Sequence, residues 1–329
     1  MSMIYKGEVV ETDLSKNSSG GTEMMRQRLL DNVNKELLES CAIHFSRPRE
    51  IPADVKNIMY CHDLAEDPEN KILVDNGWEK FDHFVFVSAW QRDQYITIFR
   101  IPYSMCSVIP NAVEIRYEAE EKNTETIRFV YHTTPHRGLE LLVPVFDALS
   151  REYPNIHLDV YSSFAIYGWV QRDEPYTELF KEIHEHPNMT YHGSVPNEQV
   201  LEALSKAHIF LYPSIWKETS CIALIEAVKN GLICIHPNYG ALPETAANAT
   251  IMYDYDEDPT KHANIAYAIT KSVLEHQKND PAFINRFTRS DRFGLVPNDI
   301  NTFGNLWTKL LRQINAPIQF SVNKSVLQS

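Results

Sequence analysis

Glu218 and Glu226 stand with seven residues between them in the stretch Tyr212–Glu244, YPSIWKETSCIALIEAVKNGLICIHPNYGALPE. The apolar run ending at Tyr212 predicts a strand, and the residues from about Ser220 predict a helix. A helix start leaves backbone N–H groups without partners and adds partial positive charge. The amides of Thr219, Ser220, Cys221 and Ile222 are therefore expected to form an anion site suited to a phosphate. Carboxylates beside such a site are poor phosphate ligands but good acceptors for sugar hydroxyls. A phosphate with a polyol on each side describes a nucleotide sugar. Two glutamates at this spacing are common by chance in an acidic chain, and the competing reading is two solvated helix residues.

These residues need a frame, and the surrounding pattern supplies one. Short apolar runs predict strands near Met3–Val10, Cys41–Phe45, Asn57–Cys61, His83–Val87 and Cys106–Ile109. Further runs lie near Ile127–Tyr131, Ile156–Tyr161, Met189–Tyr191, His208–Tyr212, Leu232–Ile235 and Thr250–Tyr253. Helical stretches alternate with them. Met25, Leu29, Val33 and Leu37 form one stripe, and Ser88-Ala-Trp-Gln91 fits a capping box opening a helix through Phe99. This alternation predicts α/β architecture with parallel sheets covered on both faces.

The charged stretch Arg116–Glu125 marks the expected domain break, giving an N-terminal domain at 1–117 and a C-terminal domain at 118–298. The last helix, within 299–329, is expected to return to the first domain.

Composition narrows the function classes. The 329 residues carry 31 Lys and Arg against 44 Asp and Glu, a formal net of −13. Both halves are acidic, which disfavours nucleic acid as a partner and docking on an anionic membrane. No two of the 11 glycines are spaced Gly-x-Gly, so the dinucleotide fingerprint and the Walker A loop are absent. Five cysteines without a Cys-x-x-Cys pair read as buried thiols in a reducing, cytoplasmic setting. No apolar run approaches the length that spans a bilayer.

In order, Pro213-Ser214, the Glu218/Glu226 pair, Glu226-Ala227, Gly231 and Gly240-Ala-Leu-Pro243-Glu244 resemble the signature of retaining family 4 glycosyltransferases, which have the GT-B fold. Ser19-Gly20-Gly21-Thr22-Glu23 resembles the family's glycine loop, whose backbone approaches the donor phosphate. Val85-Phe-Val-Ser88 and Val108-Ile-Pro-Asn111-Ala-Val113-Glu114 resemble its passage out of the first domain. His192-Gly193-Ser-Val195-Pro196 resembles the loop that contacts the nucleobase. The resemblance implies two doubly wound, Rossmann-like domains facing across a cleft. It implies transfer of a sugar from a nucleoside diphosphate of UDP or GDP type to a hydroxyl acceptor, with retention and without a metal or other cofactor.

Under that resemblance, Glu226 holds the ribose hydroxyls and Glu218 those of the transferred sugar. The helix start, Gly20-Gly21 and Arg137 face the diphosphate, Val195 the base, and His62 the reacting sugar. One departure stands out. The family usually begins its second domain with Gly-Arg and then Lys-Gly, whereas this chain has His132 and then Arg137-Gly138. That substitution motivates one alternative, a non-catalytic nucleotide-sugar-binding subunit; a nucleotide-sugar hydrolase or epimerase on the same fold is the other. Two motifs read as decoys. Asp254-Tyr-Asp256 has a metal-binding form but sits in an acidic loop, and His184-Glu-His186 lacks a third ligand.

Overall fold

The computed structural model describes residues 2–11, 20–114, 122–288 and 298–316. The expected boundary at 117/118, Ser19 of the glycine loop and the tail from 317 lie outside the described residues.

The first sheet is built from β1 (Ser2–Tyr5), β2 (Glu8–Glu11), β3 (Cys41–Phe45), β4 (Lys56–Cys61), β5 (His83–Phe86) and β6 (Cys106–Val108), in the order β2-β1-β3-β4-β5-β6. Strands β3 to β6 are parallel, while β1 runs antiparallel to both of its neighbours. The single strand expected over Met3–Val10 is thus a hairpin. Lys6 and Gly7 both have positive φ, 49° and 79°, which is the geometry of a two-residue hairpin turn. An unbroken run of strand formers hides such a turn.

Helices α1 (Gly21–Asn32), α2 (Lys35–Leu38) and α3 (Ala89–Phe99) belong to this domain. The stripe from Met25 to Leu37 is divided between α1 and α2. Val33 is extended, and the Asn34 side chain accepts from Glu36 N at 2.9 Å, capping a new start.

The second sheet contains β7 (Ile127–Tyr131), β8 (Ile156–Val160), β9 (Met189–Tyr191), β10 (Ile209–Leu211), β11 (Ile233–Pro237) and β12 (Ile251–Tyr253). All its strands are parallel, in the order β12-β11-β10-β7-β8-β9. This is a doubly wound sheet. Strand order reverses between β7 and β10, which opens a crevice at their carboxyl ends. The covering helices are α4 (Leu139–Glu152), α5 (Thr177–Glu185), α6 (Asn197–Lys206), α7 (Ile222–Lys229), α8 (Leu242–Ala246), α9 (Pro259–Asn279) and α10 (Phe283–Thr288). Ile209, Phe210 and Leu211 of β10 are fully buried, as expected of a central parallel strand.

A last helix, α11 (Ile300–Asn315), packs on α1 of the first domain. Its Trp307 is fully buried, with its ring edge-on to Tyr60 at 4.9 Å. The chain therefore passes between domains twice, and the two passages are stitched together: Val113 N donates to Asn298 O at 3.0 Å, and Val113 bridges Asp299 in parallel. Among the described residues, no helix is long and apolar enough to cross a membrane.

Candidate functional site

The loop between β10 and α7 leaves the sheet at the reversal point. Two glycines from neighbouring loops press on it. A Cβ at Gly138 would lie 2.3 Å from Pro213 O, and one at Gly240 would lie 2.8 Å from both N and O of Glu218. Both have positive φ, 123° and 60°, so these positions demand glycine twice over. Ala241 N donates to Glu218 O at 2.8 Å, fixing the Glu218 backbone from the Gly240 side.

The Glu218 side chain is buried. Its Oε1 accepts from Tyr212 OH at 2.6 Å and pairs with the Arg137 guanidinium, which also donates from Nε to Thr134 Oγ1 at 3.2 Å. Burial disfavours the Arg137 charge, but Glu218 beside it more than compensates and holds its pKa well above the ordinary value. Burial, and then the Glu218 charge, push the Tyr212 hydroxyl well up, so it remains a donor. The diphosphate and sugar residues expected from the sequence are thus brought to one place, as an ion pair.

Glu226 lies within α7 and is also buried. Its Oε1 accepts from Asn197 Nδ2 at 3.3 Å, and its Oε2 lies 3.5 Å from His132 Nε2. The His132 side chain is only 3% exposed, and neither ring nitrogen has a hydrogen bond. Asn197 opens α6 directly after the loop His192–Pro196, so the loop expected to contact the base, with Val195, adjoins Glu226. Val195 is half-buried and packs against the second core.

Helix α7 begins two residues later than expected. Cys221 is its N-cap and Ile222 its first residue, with no side-chain cap. The free amides of the first turn therefore begin at Ile222, and Thr219 and Ser220 precede the helix. Thr219 faces the other domain: its Oγ1 donates to His62 O at 2.9 Å, and its carbonyl accepts from Ser88 Oγ at 2.6 Å.

Gly20 caps α1 without a side chain and Gly21 is its first residue. A Cβ at Gly20 would lie 2.4 Å from Tyr167 Cε1, and one at Gly21 would lie 2.8 Å from Ile222 Cδ1. Ile222 packs against both domain cores. Without a ligand, the missing side chains thus make room for second-domain residues, and two uncapped helix starts face each other.

His62 follows β4. Its ring tilts against Tyr60 at 4.2 Å, and its buried Nε2 has no partner. Burial pushes its pKa down to about 3, so the imidazole is neutral near pH 7. The two remaining motifs have partners of their own. Asp254 accepts from Asn238 Nδ2 and Asp256 from Asp258 N, while His186 faces Asp147 at 3.4 Å. Among the described residues no cluster of three or more acidic, His or Cys side chains fits a metal ion.

Nothing in the sequence marked Tyr212, Asn197 and Tyr167 as lining this place. Tyr212 and Asn197 lie in or beside the quoted motifs, and the one available signal was that buried carboxylates require donors.

Comparison with known proteins follows the same lines. The chain is 27% identical over 220 residues to a phosphatidylinositol N-acetylglucosaminyltransferase subunit of Arabidopsis thaliana, covering 64% of this chain and 46% of that one. It is 26% identical over 190 residues to the Homo sapiens protein of the same name, covering 55% of this chain and 37% of that one. The chain thus spans about half the length, or less, of these relatives. Among solved structures, sucrose-phosphate synthase from Thermosynechococcus elongatus superposes with a TM-score of 0.60 at 16% identity, covering 79% of this chain and 68% of that one. The pneumococcal O-GlcNAc transferase GtfA, solved with UDP and GlcNAc, gives 0.59 at 13% identity, covering 80% and 53%. These likenesses establish the two-domain GT-B fold. The model of the glycosyl transferases group 1 matches residues 112–286, more than half of the sequence, and the chain belongs to that family.

Proposed function

We propose that this protein transfers a sugar from a nucleoside-diphosphate donor to a hydroxyl acceptor, with retention of configuration and without a metal. The observation that carries the reading is the buried Arg137–Glu218–Tyr212 cluster at the start of α7, with Glu226 and the base loop beyond it. Glu218 Oε2 takes part in neither of the Oε1 contacts and is the oxygen for hydroxyls of the transferred sugar. Glu226 receives the ribose. The amides from Ile222 onward, the Gly20-Gly21 backbone and the remaining Arg137 donors stabilise the departing diphosphate, an electrostatic form of catalysis. His62, neutral and unpaired at Nε2, faces the transferred sugar as a hydrogen-bonding partner. Domain closure excludes water.

The relatives named for N-acetylglucosaminyl transfer make a UDP-linked N-acetylhexosamine the first donor to test, and their phosphatidylinositol the first acceptor. A thermal-shift screen with UDP and GDP sugars tests the donor. A bound donor raises the melting temperature by mass action, and no shift with any nucleotide sugar at millimolar concentration sinks the reading. A second reading, a nucleotide-sugar-binding subunit without catalysis, is favoured by His132 at a position where the family carries arginine. Donor binding without transfer to any acceptor would support it.

A further inference from the structure

The two domains meet through a small polar junction beside Glu218, in which Glu244, Ser88 and Thr219 join side chains and backbone of both domains. We propose that Glu244 is a positioning residue for transfer: its carboxylate, on α8 of the second domain, clasps the first turn of α3 in the first domain and sets the register in which His62 meets Glu218. This rests on the transferase reading.

The first-turn amides of a helix have no partners within it. In α3, Ser88 satisfies one of them, accepting from Gln91 N at 3.0 Å. Ala89 N and Trp90 N remain, and both donate to Glu244, at 2.7 and 2.9 Å to its two oxygens. The cap of a first-domain helix is therefore completed by a residue 155 positions later. An anion at this end is also favoured by the helix dipole.

The clasp is tied to the site on both sides. On the second-domain side, Ala241 N holds Glu218 O, and α8 with Glu244 follows directly. On the first-domain side, Ser88 Oγ donates to Thr219 O, and Thr219 Oγ1 donates to His62 O. Thr219 is the residue after Glu218. Closing α3 onto Glu244 therefore seats Ser88, Thr219 and His62 together and fixes the distance between the unpaired imidazole and the sugar-side carboxylate. Glu244 is itself exposed. Its bonds can exchange with water, so the clasp can open to admit donor and release product.

The test uses Glu244→Ala and Glu244→Gln in the full chain. Hydrogen exchange reads the clasp directly, since the Ala89 and Trp90 amides should exchange about tenfold faster or more in Glu244→Ala while amides of β7 and β10 are unchanged. Calorimetry with UDP and GDP should give affinities within about twofold of wild type, while the transfer kcat falls about tenfold or more at unchanged donor KM. Glu244→Gln, which keeps one acceptor oxygen, should lie between. Unaltered exchange at Ala89 and Trp90 overturns the clasp, and so does a loss of nucleotide affinity equal to the loss of rate. If the wild type transfers no sugar, the transferase reading fails on its own, and the exchange measurement still decides whether Glu244 holds α3.

Discussion

Glu218 and Arg137 illustrate how a charge pair can be both structural and reactive. Their side chains are 5% and 20% exposed, so removing one leaves the other charged in a poor solvent. Glu218→Ala should therefore abolish transfer and also lower stability by about 3–5 kcal/mol, the usual result of breaking a buried pair. Glu218→Gln, which keeps a hydrogen-bond acceptor, should lose transfer with a smaller loss of stability. Thermal melts beside transfer assays separate the two effects, and full activity in either variant would refute the assignment.

His62 makes the opposite prediction. With its pKa lowered to about 3 by burial, it contributes no ionisation between pH 5 and 8. The acidic limb of the pH–rate profile should be the same in His62→Gln as in wild type, even though the variant's rate is lower. A limb that disappears with the substitution would show a titrating imidazole. Glu218, picked out by motif order, and Arg137, picked out by the resemblance, meet as an ion pair. Tyr212 was not legible, because nothing local tells a strand-end tyrosine that its hydroxyl must satisfy a carboxylate six residues on.

At the scale of elements, the approach of α1 to α7 is the sensitive dimension. Gly21→Ala places a methyl group 2.8 Å from Ile222 Cδ1, the far end of a flexible side chain, so Ile222 must turn aside between the two helix starts. Transfer and nucleotide affinity should fall only about twofold to threefold in the variant, and Ile222→Ala should restore part of both. Non-additivity of this kind is expected for residues in contact, and strictly additive losses would count against direct contact. Strands β3, β4, β7, β8 and β11 were readable because each is a burst of apolar residues with turn formers at its ends. The β1–β2 hairpin and the α1–α2 break were not, since the apolar pattern continues through both. The start of α7 at Ile222 rather than Ser220 has a tertiary cause: Thr219 is held by Ser88 and His62 of the other domain.

The whole molecule has a pH dependence that its sites do not. Burial lowers the pKa of His62 to about 3 and those of His208 and His236 to about 4. Each is neutral in the fold but takes a proton near pH 6.5 once unfolded. Their contribution is fully present above about pH 6.5 and is lost as pH falls toward 4, because there the unfolded chain binds more protons. The melting temperature should fall steeply over that window in scanning calorimetry. A melting temperature that is flat from pH 7 to 4.5 would contradict the burial of these rings. Two α/β domains were legible from the alternation of apolar runs and helical stretches, but the domain contacts were not, because Glu244 and Ala89 are far apart in sequence.

The return of α11 to the first domain bears on how the protein is born. Phe303, Trp307, Leu310 and Leu311 complete a core whose other buried members, from Ile4 to Ala112, are synthesised first. The second core lies between Val113 and Ile284 and is contiguous along the chain. A growing polypeptide can therefore finish its second domain while the first still exposes an unfilled apolar groove over Tyr60 and Leu29. The order of folding runs against the order of synthesis, and the half-made first domain is the stage at which a chaperone has most to cover.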